Sequence, residues 1–266
     1  MNYERFKEIA DKNMPSGVDI YLSVIENIFK TPARFVSQFS ITPPKFAVVR
    51  NIEASRVIRL GNIIEDVLTD MLEEVGFVNL PKSIAPDLIC DQHFKDVDGN
   101  VYLIEQKVRD DHDSTKKRGQ IENFKKKVTC LQEKNVNVQS AIWFSDPAFK
   151  KNRKYYTEEI ANIENAHLYY GEDMFCGEFI GHPEIYTQLI EYLAKYRNNQ
   201  QNVDRIADEL DTSDDAAKAI AKMCGYSEKS IMRKMTNERY RLLLNELFPT
   251  RKSFNRAIEI SRKGRE

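Results

Sequence analysis

Apolar residues recur along the chain with two periods, and the switches between them mark its elements. Over residues 52–75, Val57, Leu60, Ile64, Val67, Met71 and Val75 return every three or four positions, which predicts one helix stopped at Gly76. Two strand-like runs follow, Asp87-Leu88-Ile89-Cys90 and Val101-Tyr102-Leu103-Ile104-Glu105. They flank Asp96-Val97-Asp98-Gly99-Asn100, where Asp-Gly signals a hairpin turn. A basic helix over residues 117–134, a strand at 139–144 and a short strand at 167–170 come next. A helix at 183–197 runs into the polar stretch Asn198-Asn199-Gln200-Gln201-Asn202, and everything after it reads as helical. Ahead of all this, Thr42-Pro43-Pro44 breaks off an N-terminal helical region. The expected organisation is an N-terminal region at 1–50, an α/β core at 51–197 and a helical module at 203–266.

Composition narrows the class. With 266 residues, 41% hydrophobic and 30% charged, the chain suits a folded globular protein with a substantial core. Lys plus Arg number 40 against 41 Asp plus Glu. That balance excludes a uniformly basic histone-like protein and still allows local basic faces. No apolar run approaches the roughly 20 residues that span a bilayer, and the first residues lack the apolar stretch of a secretory signal. Cys90, Cys130, Cys176 and Cys224 form no C-x-x-C pair, as suits free thiols in a reducing cytosol. A cytoplasmic protein without a membrane partner is expected.

The chemistry gathers at the hairpin. Pro86-Asp87 opens its expected first strand and Glu105-Gln106-Lys107 closes the second. Side chains two apart on a strand share a face, so Glu105 and Lys107 point one way and Gln106 the other. The antiparallel partner of Lys107 should fall within a few residues of Asp87. Two nearby carboxylates would each tend to gain a proton unless a cation neutralised them. Mg²⁺ ligated by Asp87 and Glu105 would do so, lower the pKa of a bound water and polarise a phosphoryl oxygen. Lys107 could then orient the attacking water or stabilise charge on the phosphate. Glu65 lies at the margin of the apolar face of the preceding helix, which makes it a candidate accessory metal ligand or water-binding residue. The plainer alternative is a turn at Pro86-Asp87 and a solvated Glu105–Lys107 pair.

This arrangement resembles the PD-(D/E)xK nuclease superfamily, and within it the type II restriction endonucleases. The resemblance rests on Pro86-Asp87, on Glu105-Gln106-Lys107 and on the upstream helix carrying Glu65. It extends through the basic helix to Leu168-Tyr169-Tyr170-Gly171-Glu172-Asp173-Met174-Phe175. It implies a restriction-endonuclease-like core, a mixed sheet flanked by helices. It also implies Mg²⁺ held by Asp87 and Glu105 with Lys107 assisting the hydrolytic water. A prokaryotic host, double-stranded DNA as substrate, a homodimer and a cognate DNA methyltransferase encoded nearby belong to the same expectation.

Residues that could hold DNA fall in two places. Arg109, Lys116, Lys117, Arg118 and Gln120 follow the catalytic strand, where phosphate contacts would give salt-dependent affinity. Lys125, Lys126 and Lys127 read as a solvated helix face. Between Lys229 and Arg265, eleven Lys or Arg stand against three Glu. Residues 216–233 have the form of a helix-turn-helix, with Gly225 suited to a left-handed turn and Ser227 to a cap. Ser227, Lys229, Ser230, Arg233 and Lys234 would then approach a major groove. A structure-specific repair or junction nuclease, and a helix-turn-helix regulator with no catalysis, are the alternative functions.

Overall fold

A computed structural model describes residues 1–134, 136–200 and 202–263. Gln201 of the expected linker and Arg265 of the basic C-terminal count lie outside them. In chain order the helices are α1 (Tyr3–Asn13), α2 (Val18–Lys30), α3 (Pro44–Glu74), α4 (Ser114–Gln132), α5 (Arg153–Ile160), α6 (Asp173–Cys176) and α7 (Pro183–Arg197). They continue as α8 (Val203–Asp208), α9 (Asp214–Met223), α10 (Glu228–Thr236), α11 (Arg241–Leu247) and α12 (Lys252–Lys263). The strands are β1 (Val78–Asn79), β2 (Ser83–Ala85), β3 (Leu88–Ile89), β4 (Gln92–Lys95), β5 (Val101–Lys107), β6 (Val138–Phe144) and β7 (Ala166–Tyr170).

Two compact units divide the chain: Met1–Asn13 with Arg59–Asn198, and Met14–Ile58 with Asn199–Glu266. The boundaries therefore differ from 1–50, 51–197 and 203–266, because α2 cannot stand alone. It buries Ile20, Tyr21, Val24, Ile25, Ile28 and Phe29, an apolar stripe that must be covered. Ile220 of α9, Leu244 of α11 and Phe254 of α12 share one core with it. The expected break at Thr42-Pro43-Pro44 is a helix start: Pro44 opens α3, and a proline in the first turn forfeits no helical hydrogen bond.

In the first unit a five-stranded mixed sheet runs in the order β1-β4-β5-β6-β7. β4 is antiparallel to β1 and β5, whereas β5, β6 and β7 are parallel and joined through α4 and α5. Leu103, Ile121, Phe124, Val128, Ile142, Phe144 and Tyr156 form the core between α4, α5 and the sheet. The first arm of the hairpin is β4, not residues 87–90. Lys95 pairs with Val101, leaving a five-residue turn. There the Asp96 carboxylate accepts from the Asn100 backbone N–H and side-chain amide at 2.8 and 2.7 Å, and Gly99 takes φ +84°. Leu88–Ile89 pairs instead with Ser83–Ala85 in a separate two-stranded sheet.

Beyond the end of β5, Asp110 is fully buried. Its carboxylate accepts from the Asn152 N–H (3.0 Å), the Asn152 side-chain amide (2.9 Å) and the Tyr170 hydroxyl (2.8 Å). One carboxylate thus ties the segment after β5 to the loop before α5 and to the end of β7. Asp110→Ala would leave these buried donors unsatisfied and is expected to cost about 3 kcal/mol, read as a shift of the urea midpoint at unchanged slope.

Candidate active site

β5 carries the chemistry on one of its two faces. Val101 and Leu103 pack toward α4, and Glu105 and Lys107, at the same parity, follow them. Gln106 points the other way and donates its side-chain amide to the Gly61 carbonyl of α3 at 3.1 Å. Glu105 is only 5% exposed. Its Oε1 accepts from the Lys107 ammonium at 2.8 Å and its Oε2 from the Lys127 ammonium at 2.5 Å.

The aspartate that meets this pair is Asp91. Its Oδ2 accepts from Lys107 Nζ at 2.9 Å and from the Gln106 N–H at 2.7 Å. The reason is register: Gln92 pairs with Ile104, so the position before β4 stands opposite Glu105. Asp87 lies elsewhere, exposed in the two-residue turn between β2 and β3 with φ 62°. Proline before a residue of positive φ is the pattern of a type II turn. No hydrogen bond at Glu105 or Lys107 among the described residues involves Asp87.

Lys107 is the hub. Besides the two carboxylates, its ammonium donates to the Gln106 carbonyl at 2.6 Å. Burial pushes its pKa down, but the charges of Glu105 and Asp91 outweigh burial and the net shift is upward. Lys107 is therefore an ammonium at neutral pH, suited to electrostatic work and not to abstracting a proton.

Glu65 lies on α3, near this cluster. Its carboxylate pairs with Lys82 at 2.6 Å and its backbone carbonyl accepts from the Gln92 amide at 2.7 Å. Burial raises its pKa, and the Asp91 charge adds to that against the opposing pull of Lys82. The structure pairs Glu65 with a lysine and does not gather it with Asp91 and Glu105 into a three-acid cluster. Among the described residues no group of three or more His, Cys, Asp or Glu could hold a metal ion. The donors that do converge are Asp91 Oδ2, Glu105 Oε1 and the Gln106 carbonyl, all on one point cation, the Lys107 ammonium. Hard oxygens from two carboxylates suit Mg²⁺, which keeps several waters and needs few protein ligands.

Two residues of this cluster were passed over in the sequence. Asp91 could have been found by counting back from the Asp96–Asn100 turn, since Lys95 opposite Val101 puts residue 91 opposite 105. Lys127 sits on the apolar stripe of α4 with Ile121, Phe124, Val128 and Leu131 and is 3% exposed. It is not part of a solvated face, because its charge is consumed by Glu105. His112, just past Asp110, has a buried Nε2 without a hydrogen-bond partner. Burial lowers its pKa, with Lys116 adding to the effect.

The residues expected to hold DNA are placed variously. Lys116 and Arg118 are exposed near the start of α4, which opens at Ser114 because Asp113 caps it. Arg109 stacks its guanidinium over Phe149 at 4.6 Å, and Lys117 lies over Tyr155 at 4.4 Å. Gln120 turns inward and accepts from the Tyr156 hydroxyl at 2.5 Å. In the second unit, α9 and α10 are joined by a tight turn in which Gly225 and Tyr226 take φ of 60° and 53°. Ser227 caps α10, accepting from the Ser230 N–H at 3.3 Å. Lys229 and Arg233 are exposed. Lys234 is not: its ammonium lies over the Phe29 and Tyr240 rings at 4.9 and 5.5 Å. Two aromatic rings thus hold the lysine expected to approach a major groove.

Residues 77–197 match the model of a protein family described as type II restriction endonuclease, HinfI. The matched segment contains Asp91, Glu105, Lys107 and Lys127 and runs from β1 to the end of α7. Its mixed sheet flanked by helices is consistent with a restriction-endonuclease-like α/β fold. No curated protein matches the chain.

Proposed function

From a chain whose residues 77–197 match the HinfI family of type II restriction endonucleases, we propose a Mg²⁺-dependent enzyme that hydrolyses both strands of DNA at a specific sequence. The observation that carries the reading is the convergence of Asp91, Glu105 and the Gln106 carbonyl on the Lys107 ammonium at 2.6 to 2.9 Å. Asp91 and Glu105, with that carbonyl, would hold the cation. Bound there, Mg²⁺ would acidify a ligated water and polarise a phosphoryl oxygen. Lys107 keeps its proton and donates it as a hydrogen bond, aligning the water and stabilising negative charge on the phosphate. Glu65, in the half-buried pair with Lys82, would hold a further water or a second cation.

Lys116, Arg118, Lys229 and Arg233 offer exposed cations for phosphate oxygens, with α10 as the candidate reading helix. Cutting both strands of a symmetric site favours a two-fold homodimer. A methyltransferase encoded nearby would protect the host, and cytoplasmic residence follows from the same role. Among the described residues no helix is long and apolar enough to cross a membrane.

The test is a plasmid digest. Purified protein with Mg²⁺ is expected to give discrete fragments whose sequenced ends share one motif, and EDTA to stop the reaction. Intact plasmid beside cleaved branched substrates would instead favour a junction nuclease.

A further inference from the structure

Lys127 is an expensive residue where it stands. A charged side chain on the apolar stripe of α4, 4% exposed, must be paired or it destabilises the fold. Its partner Glu105 already has a cation, Lys107, on its other oxygen. A pair of acids balanced by Lys107 and a cofactor does not require a second buried ammonium. The two lysines differ in accessibility: the Lys107 side chain is 26% exposed and reaches Oε1 from the open side, while Lys127 grips Oε2 from within the core.

Resting on the reading of Asp91 and Glu105 as a divalent-cation site, we infer that Lys127 is a positioning residue that selects the ion. By occupying Oε2 it leaves Glu105 only Oε1, the oxygen that the Lys107 ammonium also reaches, for the cradle. Mg²⁺ demands near-octahedral geometry and retains waters, so a single carboxylate oxygen serves it. Ca²⁺ takes six to eight oxygens and accepts carboxylates through both atoms at once. The Lys127 grip removes the second atom, and with it the advantage that a larger ion would draw from this carboxylate.

The readout is a ratio of affinities, which cancels effects common to two divalent ions, including the lost positive charge. In the full-length protein without DNA, Tb³⁺ luminescence is displaced by Mg²⁺ or by Ca²⁺, and the two half-displacement concentrations are compared. Lys127→Met is expected to shift the ratio toward Ca²⁺ by about tenfold. Lys127→Gln, which keeps a donor on a side chain one bond shorter, is expected to fall between the Met variant and wild type. Should the Met variant not fold, Lys127→Ala, which admits water beside the carboxylate, carries the same expectation. A merely structural ion pair would lower the melting temperature and leave the ratio alone. Folded Met or Ala variants with the wild-type ratio overturn the inference while the cation site stands. Wild-type protein that binds none of the three ions overturns the cation site, and the inference with it.

Discussion

Asp91→Asn is expected to abolish DNA cleavage, and Asp87→Asn to leave it within about twofold of wild type. The first substitution preserves shape and one carbonyl oxygen, which can still accept from the Gln106 N–H and the Lys107 ammonium now bonded to Oδ2. Folding is retained and only the negative charge is lost. With that charge goes half of the carboxylate pair that would hold the cation, and a hard divalent ion binds a neutral amide oxygen far more weakly. Asp87 stands on an exposed turn at φ 62°, a conformation that asparagine tolerates as well as aspartate. Single-turnover cleavage of plasmid by both variants, with melting temperatures alongside, separates the two residues. An active Asp91→Asn beside an inactive Asp87→Asn would reverse the assignment.

Lys107→Ala is expected to slow cleavage by about a hundred- to a thousandfold, the usual cost of removing one charge-stabilising donor from an active site. DNA binding should change little, because phosphate affinity is spread over many exposed cations. The ammonium lies at hydrogen-bond distance from both carboxylates, and their charges keep it protonated despite its burial. Its loss removes the group that aligns water and answers charge on the phosphate, and it also leaves Asp91 without its cation beside Glu105, which Lys127 still holds. The same variant should therefore be less thermostable than wild type without divalent ions and regain the difference when Mg²⁺ is added. Gel-shift titration, burst kinetics and melting curves with and without Mg²⁺ read the three consequences separately. Cleavage at the wild-type rate would remove Lys107 from the mechanism.

Both expectations turn on which residues meet, and local pattern carried only part of that. The helix bounded by Pro183 and Arg197 was legible, and so were the strands now seen at Val101–Lys107 and Val138–Phe144. Their apolar periods are properties of a few consecutive residues. The split of Glu105 and Lys107 from Gln106 was legible for the same reason, since a strand alternates its faces whatever lies beside it. Gly225 and Ser227 likewise announced a left-handed turn and a cap by their own chemistry.

The placement of Asp91 opposite Glu105 was a matter of register, set by where the ladder closes on the Asp96–Asn100 turn. Proline beside Asp87 drew attention to a carboxylate that belongs to another turn. The burial of Lys127 and the stacking of Lys234 over Phe29 and Tyr240 depended on contacts across 22 and up to 205 residues of chain. No window of sequence contains such partners. So did the packing of α2 with the C-terminal helices, which regrouped residues 14–58. Short-range periodicity determines what an element is and which way its side chains face, because both follow from backbone geometry. What each face meets is decided by the closing of loops and the burial of apolar stripes, and those are settled only when the whole chain packs.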